Sequence, residues 1–138
     1  MTTFYVSPSS LSYKQYSTIV SAAAGFGWKA RWIWSREIFR PDAQVKADAL
    51  AKMLKSFVHT DIFIATLPCT CSTCIEIGIA YTLCEEVFLV ARDPVHFTQT
   101  GYSDAHLAVL PGIKRVCCTV DEIPAMLSKE YLHLIDPV

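Results

Sequence analysis

The stretch 60-TDIFIATLPCTCSTCIEIGIAYTLCEEVFLVAR-92 decides the fold. "DIFIATL" (61–67) is a nearly continuous apolar run, "STCIEIGIAYTLC" (72–84) has the length and pattern of a helix, and "EVFLVAR" (86–92) is apolar again. Strands that read as unbroken apolar runs are buried on both faces, as in parallel sheets covered by helices on either side. Working outward, the same order repeats. "TFYVS" (3–7) leads through a Ser/Pro cluster into "LSYKQYSTIVSAAAGFG" (11–27), an Ala-rich helix closed by glycine. "WKARWIW" (28–34) alternates and is predicted as a strand, and "AQVKADALAKMLKSFV" (43–58) puts Val45, Ala49, Met53 and Phe57 at helical spacing. "IKRVCCTV" (113–120) is the last strand, before a final helix "VDEIPAMLSKEYL" (120–132). Roughly five strands interleaved with helices predict an α/β fold: a doubly wound, Rossmann-like or flavodoxin-like three-layer sandwich with a five-stranded parallel sheet. Residues 1–138 form one domain in this reading. The longest predicted loop is "DPVHFTQTGYSDAH" (93–106).

Composition narrows the function. Hydrophobic residues make up 52% of the chain and charged residues 18%, too apolar for disorder and enough to predict a homo-oligomer interface or a lined pocket. A net charge of −1 offers no footprint for polymeric nucleic acid. No apolar run reaches the ~20 residues that span a bilayer, and "MTTFYVSPSS" lacks a signal-peptide pattern, so no membrane partner and a cytoplasmic location are expected. The six cysteines, Cys69, Cys71, Cys74, Cys84, Cys117 and Cys118, are then expected as thiols. Cys117 and Cys118 alternate across a strand and should face the two helix layers.

In doubly wound sheets ligands bind outside the carboxyl ends of the strands. The loops there contain Ser7, Ser9 and Ser10; Ser35, Arg36 and Arg40; and Pro68 through Glu76. Cys69-x-Cys71-x-x-Cys74 could offer thiolates to zinc, but the fourth ligand is missing: Cys84 lies roughly 15 Å from Cys74 along the helix. No metal and no cofactor are expected, and buried thiols serve as small hydrophobes. Thr73-Cys74-Ile75-Glu76 can be read as a capping box. Alternatively Glu76 is a carboxylate kept ionised by the helix N-terminus and placed at the rim of a site, where it can act as a nucleophile. Gly78, two residues on, weakens the helix and predicts a close approach by a neighbouring element or a ligand.

The run 60–92 resembles the core of the nucleoside 2-deoxyribosyltransferase-like family, with its aspartate before an apolar strand, a loop, then E-[IL]-G-x-A and a further strand; "FYVSPSS" is similar to that family's opening strand. The two segments cover about a third of the chain. The resemblance implies cleavage or transfer of the N-glycosidic bond of a nucleoside or nucleoside 5′-monophosphate, with Glu76 as nucleophile and Tyr5 orienting it. The family's further acid falls nearest to Asp48, and the loop before the glutamate has Thr70, Cys71 and Ser72 where transferases carry Asp and Gly. That serine is similar to the nucleotide-hydrolysing branch. Ser7, Ser9, Ser10, Trp34, Arg36, Ser72, Thr73 and Gly78 form the implied substrate-binding set, with His96 or His106 within reach of a leaving base. The resemblance also implies a dimer or larger assembly in which a neighbouring subunit completes the pocket. Two other readings of these residues are a catalytically silent nucleotide-binding module of the same fold and a metal- or redox-responsive protein using Cys69, Cys71 and Cys74.

Overall fold

The computed structural model describes residues 1–8, 11–33, 42–98 and 105–127. Its elements run β1 (Thr3–Val6), α1 (Tyr13–Gly25), β2 (Lys29–Ala30), α2 (Ala43–Lys55), β3 (Ile62–Leu67), α3 (Cys71–Leu83), β4 (Glu86–Ala91), α4 (Val95–Thr98), α5 (Ala105–Ala108), β5 (Lys114–Cys117) and α6 (Ile123–Met126), the last entered through a 3-10 turn at Val120–Glu122. The three long helices start where short polar side chains satisfy their first amides. Ser12 caps α1 in a reciprocal box with Gln15, and Asp42 accepts from the amides of Gln44 and Val45 at the start of α2. Lys52 and Lys55 occupy the last turn of α2, where they complement the carbonyl end of the dipole.

The strands form a single parallel sheet of five in the order β2-β1-β3-β4-β5. This is the doubly wound, flavodoxin-like order, and the direction of winding reverses between β1 and β3. All six residues of β3 are buried, as its unbroken apolar run predicts for a central strand. At its N-terminal end Asp61 Oδ2 accepts from the Thr3 amide at 2.8 Å and from Thr3 Oγ1 at 3.1 Å, which sets β1 against β3. Val6 then lies opposite Ile64.

Alternation along the strands builds a core on each face of the sheet. On one face Phe4, Val6, Ile62, Ile64, Phe88 and Val90 pack against Tyr16, Ile19 and Ala23 of α1 and Ile123 of α6. On the other Tyr5, Phe63, Ala65, Val87 and Leu89 pack against Phe57 beyond α2 and against Ile77 and Ala80 of α3.

Three expectations need correcting. The strand predicted over 28–34 shrinks to Lys29–Ala30, because after the Arg31 amide bonds the Phe4 carbonyl at 2.9 Å the chain leaves the sheet edge. Trp28 consequently joins the first core and Trp32 the second, whereas a continued strand would hold both on one face. The predicted loop 93–106 contains α4, started by Asp93 Oδ1 on the Val95 amide at 3.0 Å, and the beginning of α5. Asp-Pro at 93–94 is a helix-start signal that the loop assignment overlooked. Cys118 packs in the first core, but Cys117 ends the edge strand β5 exposed, so it faces no helix layer. The final helix spans Ile123–Met126 among the described residues.

Phe57 is fully buried, with its ring centroid 4.5 Å from Tyr5 and 5.8 Å from Phe63. Phe57→Ala is expected to destabilise the fold by about 3–5 kcal/mol, the usual range for removing a buried phenyl group. Urea denaturation monitored by tryptophan fluorescence measures this, and a loss below about 1 kcal/mol would mean that the aromatic layer closes over the gap.

Candidate active site

Parallel pairing brings the carboxyl ends of β1 and β3 side by side, and the site is assembled from the residues at and just beyond those two ends. Tyr5 and Ser7 share parity on β1 and its continuation, so both point to the face covered by α3. The Tyr5 ring is held on three sides: stacked on Trp32 at 5.4 Å and on Phe63 at 5.5 Å, and tilted against Phe57 at 4.5 Å. Such packing leaves one orientation for the phenol, whose O–H donates to Glu76 Oε2 at 2.7 Å.

Glu76 is only 5% exposed. It sits in the second turn of α3, on the helix side that also buries Thr73, Ile77 and Ala80. The capping-box reading of Thr73 and Glu76 falls one turn late: the helix begins at Cys71, its cap is Thr70, and Thr70 Oγ1 receives the Thr73 amide at 3.4 Å. The Ser/Thr-rich run 70–73 offers two cap registers, and packing of α3 on the sheet selects the earlier one. Glu76 is thereby released from capping and turned onto Tyr5. The expectation that the helix end keeps it ionised also changes sign. Burial raises its pKa above the ordinary carboxylate value, and the hydroxyls of Tyr5 and Ser7 pull it back only in part. Burial and the neighbouring Glu76 raise the Tyr5 phenol as well, so Tyr5 keeps its proton and remains the donor.

Ser7 and Thr73 are both fully buried, with their hydroxyl oxygens 3.4 Å apart; Thr70 Oγ1 lies 3.5 Å from Thr73 Oγ1. The Ser7 amide donates to the Ile64 carbonyl at 2.9 Å, which continues the β1–β3 ladder into the site. A hydroxyl row from Thr70 through Thr73 to Ser7 therefore runs beside the Tyr5–Glu76 pair. Trp32, Phe57 and Phe63 were not among the residues expected at the site; their burial was legible as apolar pattern, their convergence on Tyr5 was not.

The other candidates fall elsewhere. Ser72 is exposed at the second position of α3. Asp48 is exposed on α2 and accepts from Gln44 Nε2 at 2.9 Å; among the described residues the polar groups acting on Glu76 are Tyr5 and Ser7. Among the described residues a Cβ at Gly78 would meet nothing within 4 Å, so none of the described elements explains that glycine. Ser9, Ser10, Ser35, Trp34, Arg36 and Arg40 lie outside the described residues, as do the side chain of His106 and the segment 128–138. His96 is half-buried on α4. Cys69 Sγ and Cys74 Sγ approach to 3.6 Å while Cys71 is exposed, and among the described residues no three His, Cys, Asp or Glu converge as a metal site.

No protein-family model and no curated protein matches the chain in sequence. In structure it is similar to Clostridium botulinum CMP N-glycosidase BcmB, with a TM-score of 0.56 and 15% identity over 91% of this chain and 97% of that one. At that identity the likeness is one of fold, and it agrees with the fold that the sequence resemblance implies.

The raised Glu76 pKa has a definite linkage sign. The folded state holds this proton more tightly than the unfolded chain, so stability falls as pH rises from the unfolded value, about 4.3, through the folded one. Glu76→Gln keeps the size and an acceptor for Tyr5, and it is expected to gain on wild type across that window and to converge with it below about pH 4. Denaturation midpoints of both proteins at a series of pH values test this; a constant difference would mean that Glu76 titrates as a solvated carboxyl.

Proposed function

We propose that this chain hydrolyses the N-glycosidic bond of a nucleoside 5′-monophosphate, with Glu76 as the nucleophile. The observation that carries this reading is a buried carboxylate, fixed by a caged tyrosine at 2.7 Å, at the switch point of a doubly wound sheet. A cap or a surface charge has no need of such a setting; a carboxylate that must meet a developing oxocarbenium ion does. Glu76 attacks the anomeric carbon as the bond to the base breaks, and the departing base carries off the bonding pair and takes up a proton. Water then attacks the same carbon, giving the free sugar phosphate and regenerating the carboxylate. Tyr5 is a positioning residue: it presents one carboxylate oxygen to the sugar by holding the other. Ser7 and Thr73, buried against each other, support the loop, while exposed Ser72 at the head of α3 is free to meet a phosphate. Ser9, Ser10, Trp34 and Arg36 are proposed for substrate binding, while Asp48, exposed on α2 with Gln44 as its donor, is given no step in the chemistry. The nucleotide preference draws support from the serines and from the CMP N-glycosidase that shares the fold.

The same reading includes a homo-oligomer working in the cytoplasm. No described helix is long and apolar enough to cross a membrane. Glu76 is the one charged residue of α3 and points inward; Ile75, 63% exposed, and Leu83, 50% exposed, point outward, with Leu50 and Leu54 exposed on α2. A helix apolar on both sides is normally buried on both. No described residue comes within 4 Å of a Cβ placed at Gly78, which leaves room there for a second copy to approach closely. Ile75→Glu is expected to reduce the particle mass seen by light scattering to that of one chain; an unchanged oligomer would remove α3 from the interface.

The activity is tested by chromatography of free base released from ribo- and deoxyribonucleosides and their 5′-monophosphates, with and without an acceptor base. Glu76→Ala and Glu76→Gln are expected to abolish release. Tyr5→Phe deletes a hydrogen bond to a charged group, about 1.5–3 kcal/mol, and should lower kcat about 10- to 100-fold while moving the acid limb of the pH profile upward, because the ionised carboxylate loses a donor. Release that survives in Glu76→Ala would remove Glu76 from the chemistry. An absence of release from every substrate, with a ligand bound tightly, would favour the silent binding module.

A further inference from the structure

We propose that Cys69 and Cys74 form a reversible disulfide that clasps the β3–α3 loop to the first turn of the helix carrying Glu76. Their sulfurs already lie 3.6 Å apart, and both residues are half-buried rather than sealed in the core. With Thr70 as the cap, Cys69 immediately precedes it and Cys74 is the fourth helical residue. These two positions ordinarily hold an apolar pair that staples the incoming chain to the helix. Here the staple consists of two thiols, so the contact that fixes the loop is also one that can be oxidised. Bonding requires the sulfurs to close by about 1.5 Å to the usual 2.05 Å. Burial pushes the thiols of Cys84 and Cys118 up to about 11 each and so disfavours their reactive thiolates, while Cys71 and Cys117 are exposed and are the competing thiols.

The oxidant is a hydroperoxide. One cysteine, as its thiolate, attacks a peroxide oxygen to give a sulfenic acid and, with one proton, water; the second thiol attacks that sulfur, the S–S bond forms, and the sulfenic oxygen leaves as a second water. Two thiols and one hydrogen peroxide thus give one disulfide and two waters, and a dithiol reductant reverses the step by exchange. The bond would bridge Thr70 and Thr73, the hydroxyls that run toward Ser7, and it lies half a turn ahead of Glu76. Its consequence for turnover rests on the function proposed above, but its formation does not.

The test uses the full chain, titrated with hydrogen peroxide, alkylated and weighed intact, with fragmentation to locate the bond. Two of the six thiols are expected to escape alkylation in a single, uncrosslinked chain lighter by two hydrogens, and dithiothreitol should restore both. Cys69→Ser and Cys74→Ser should each abolish the bond, while Cys71→Ser should leave it intact. Six alkylated thiols after peroxide treatment, a bond that uses Cys71, or only sulfinic acids and intermolecular links would each overturn the proposal. If the bond forms, base release measured before and after reduction should be lowest in the oxidised form. Unchanged release would show that the clasp does not reach Glu76, whatever the substrate.

Discussion

A carboxylate withdrawn from water must be given a donor, and the layout around β1 and β3 depends on Tyr5 being that donor for Glu76. The phenol reaches the carboxylate at 2.7 Å only because its ring is held between Trp32, Phe63 and Phe57. Each of those rings comes from a different part of the chain. Trp32 lies just past the edge strand, Phe57 just past α2, and Phe63 on the central strand. A single hydrogen bond is therefore held by three rings of the second core.

The two faces of the sheet are consequently unlike. The face covered by α1 and α6 is an ordinary apolar core. The face covered by α2 and α3 contains the same kind of aliphatic packing, but it is crossed near the carboxyl ends of β1 and β3 by Tyr5, Glu76, Ser7 and Thr73. Buried polar groups are tolerated there because they partner one another, and removing one leaves another exposed to its full desolvation cost. The raised pKa of Glu76 is the electrostatic trace of that balance: burial outweighs the donors.

Several local signals were ambiguous, and packing chose between them. Thr70 and Thr73 both fit a cap, and the choice of Thr70 moves Glu76 from a backbone-capping role into the second turn, facing the sheet. "WKARWIW" alternates well enough for a strand, yet among its described residues only Lys29 and Ala30 pair as a strand and the Arg31 amide makes the last bond to β1, since β2 lies at the edge with β1 alone beside it. Asp93-Pro94 announced a helix within a stretch otherwise dominated by turn formers. In each case the sequence offered more than one locally satisfactory structure, and the difference lay in contacts made far along the chain.

By itself the sequence determined what depends on neighbours a few positions apart. That covers the alternation of strands and helices, the parallel sheet read from the fully apolar β3, the helices over 11–27 and 43–58, and Glu76 as the carboxylate of interest beside the loop after β3. Apart from the resemblance, which implied Tyr5, nothing local to the sequence said what Glu76 touches; tertiary structure decided it. Tyr5 lies 71 residues away, and β2 and α2 intervene between its strand and β3. Neither period nor propensity reports which strands become neighbours, because that is settled by how two helix layers cover one sheet. Only when β1 is laid against β3, with Val6 opposite Ile64, do the caged phenol and the buried carboxylate meet.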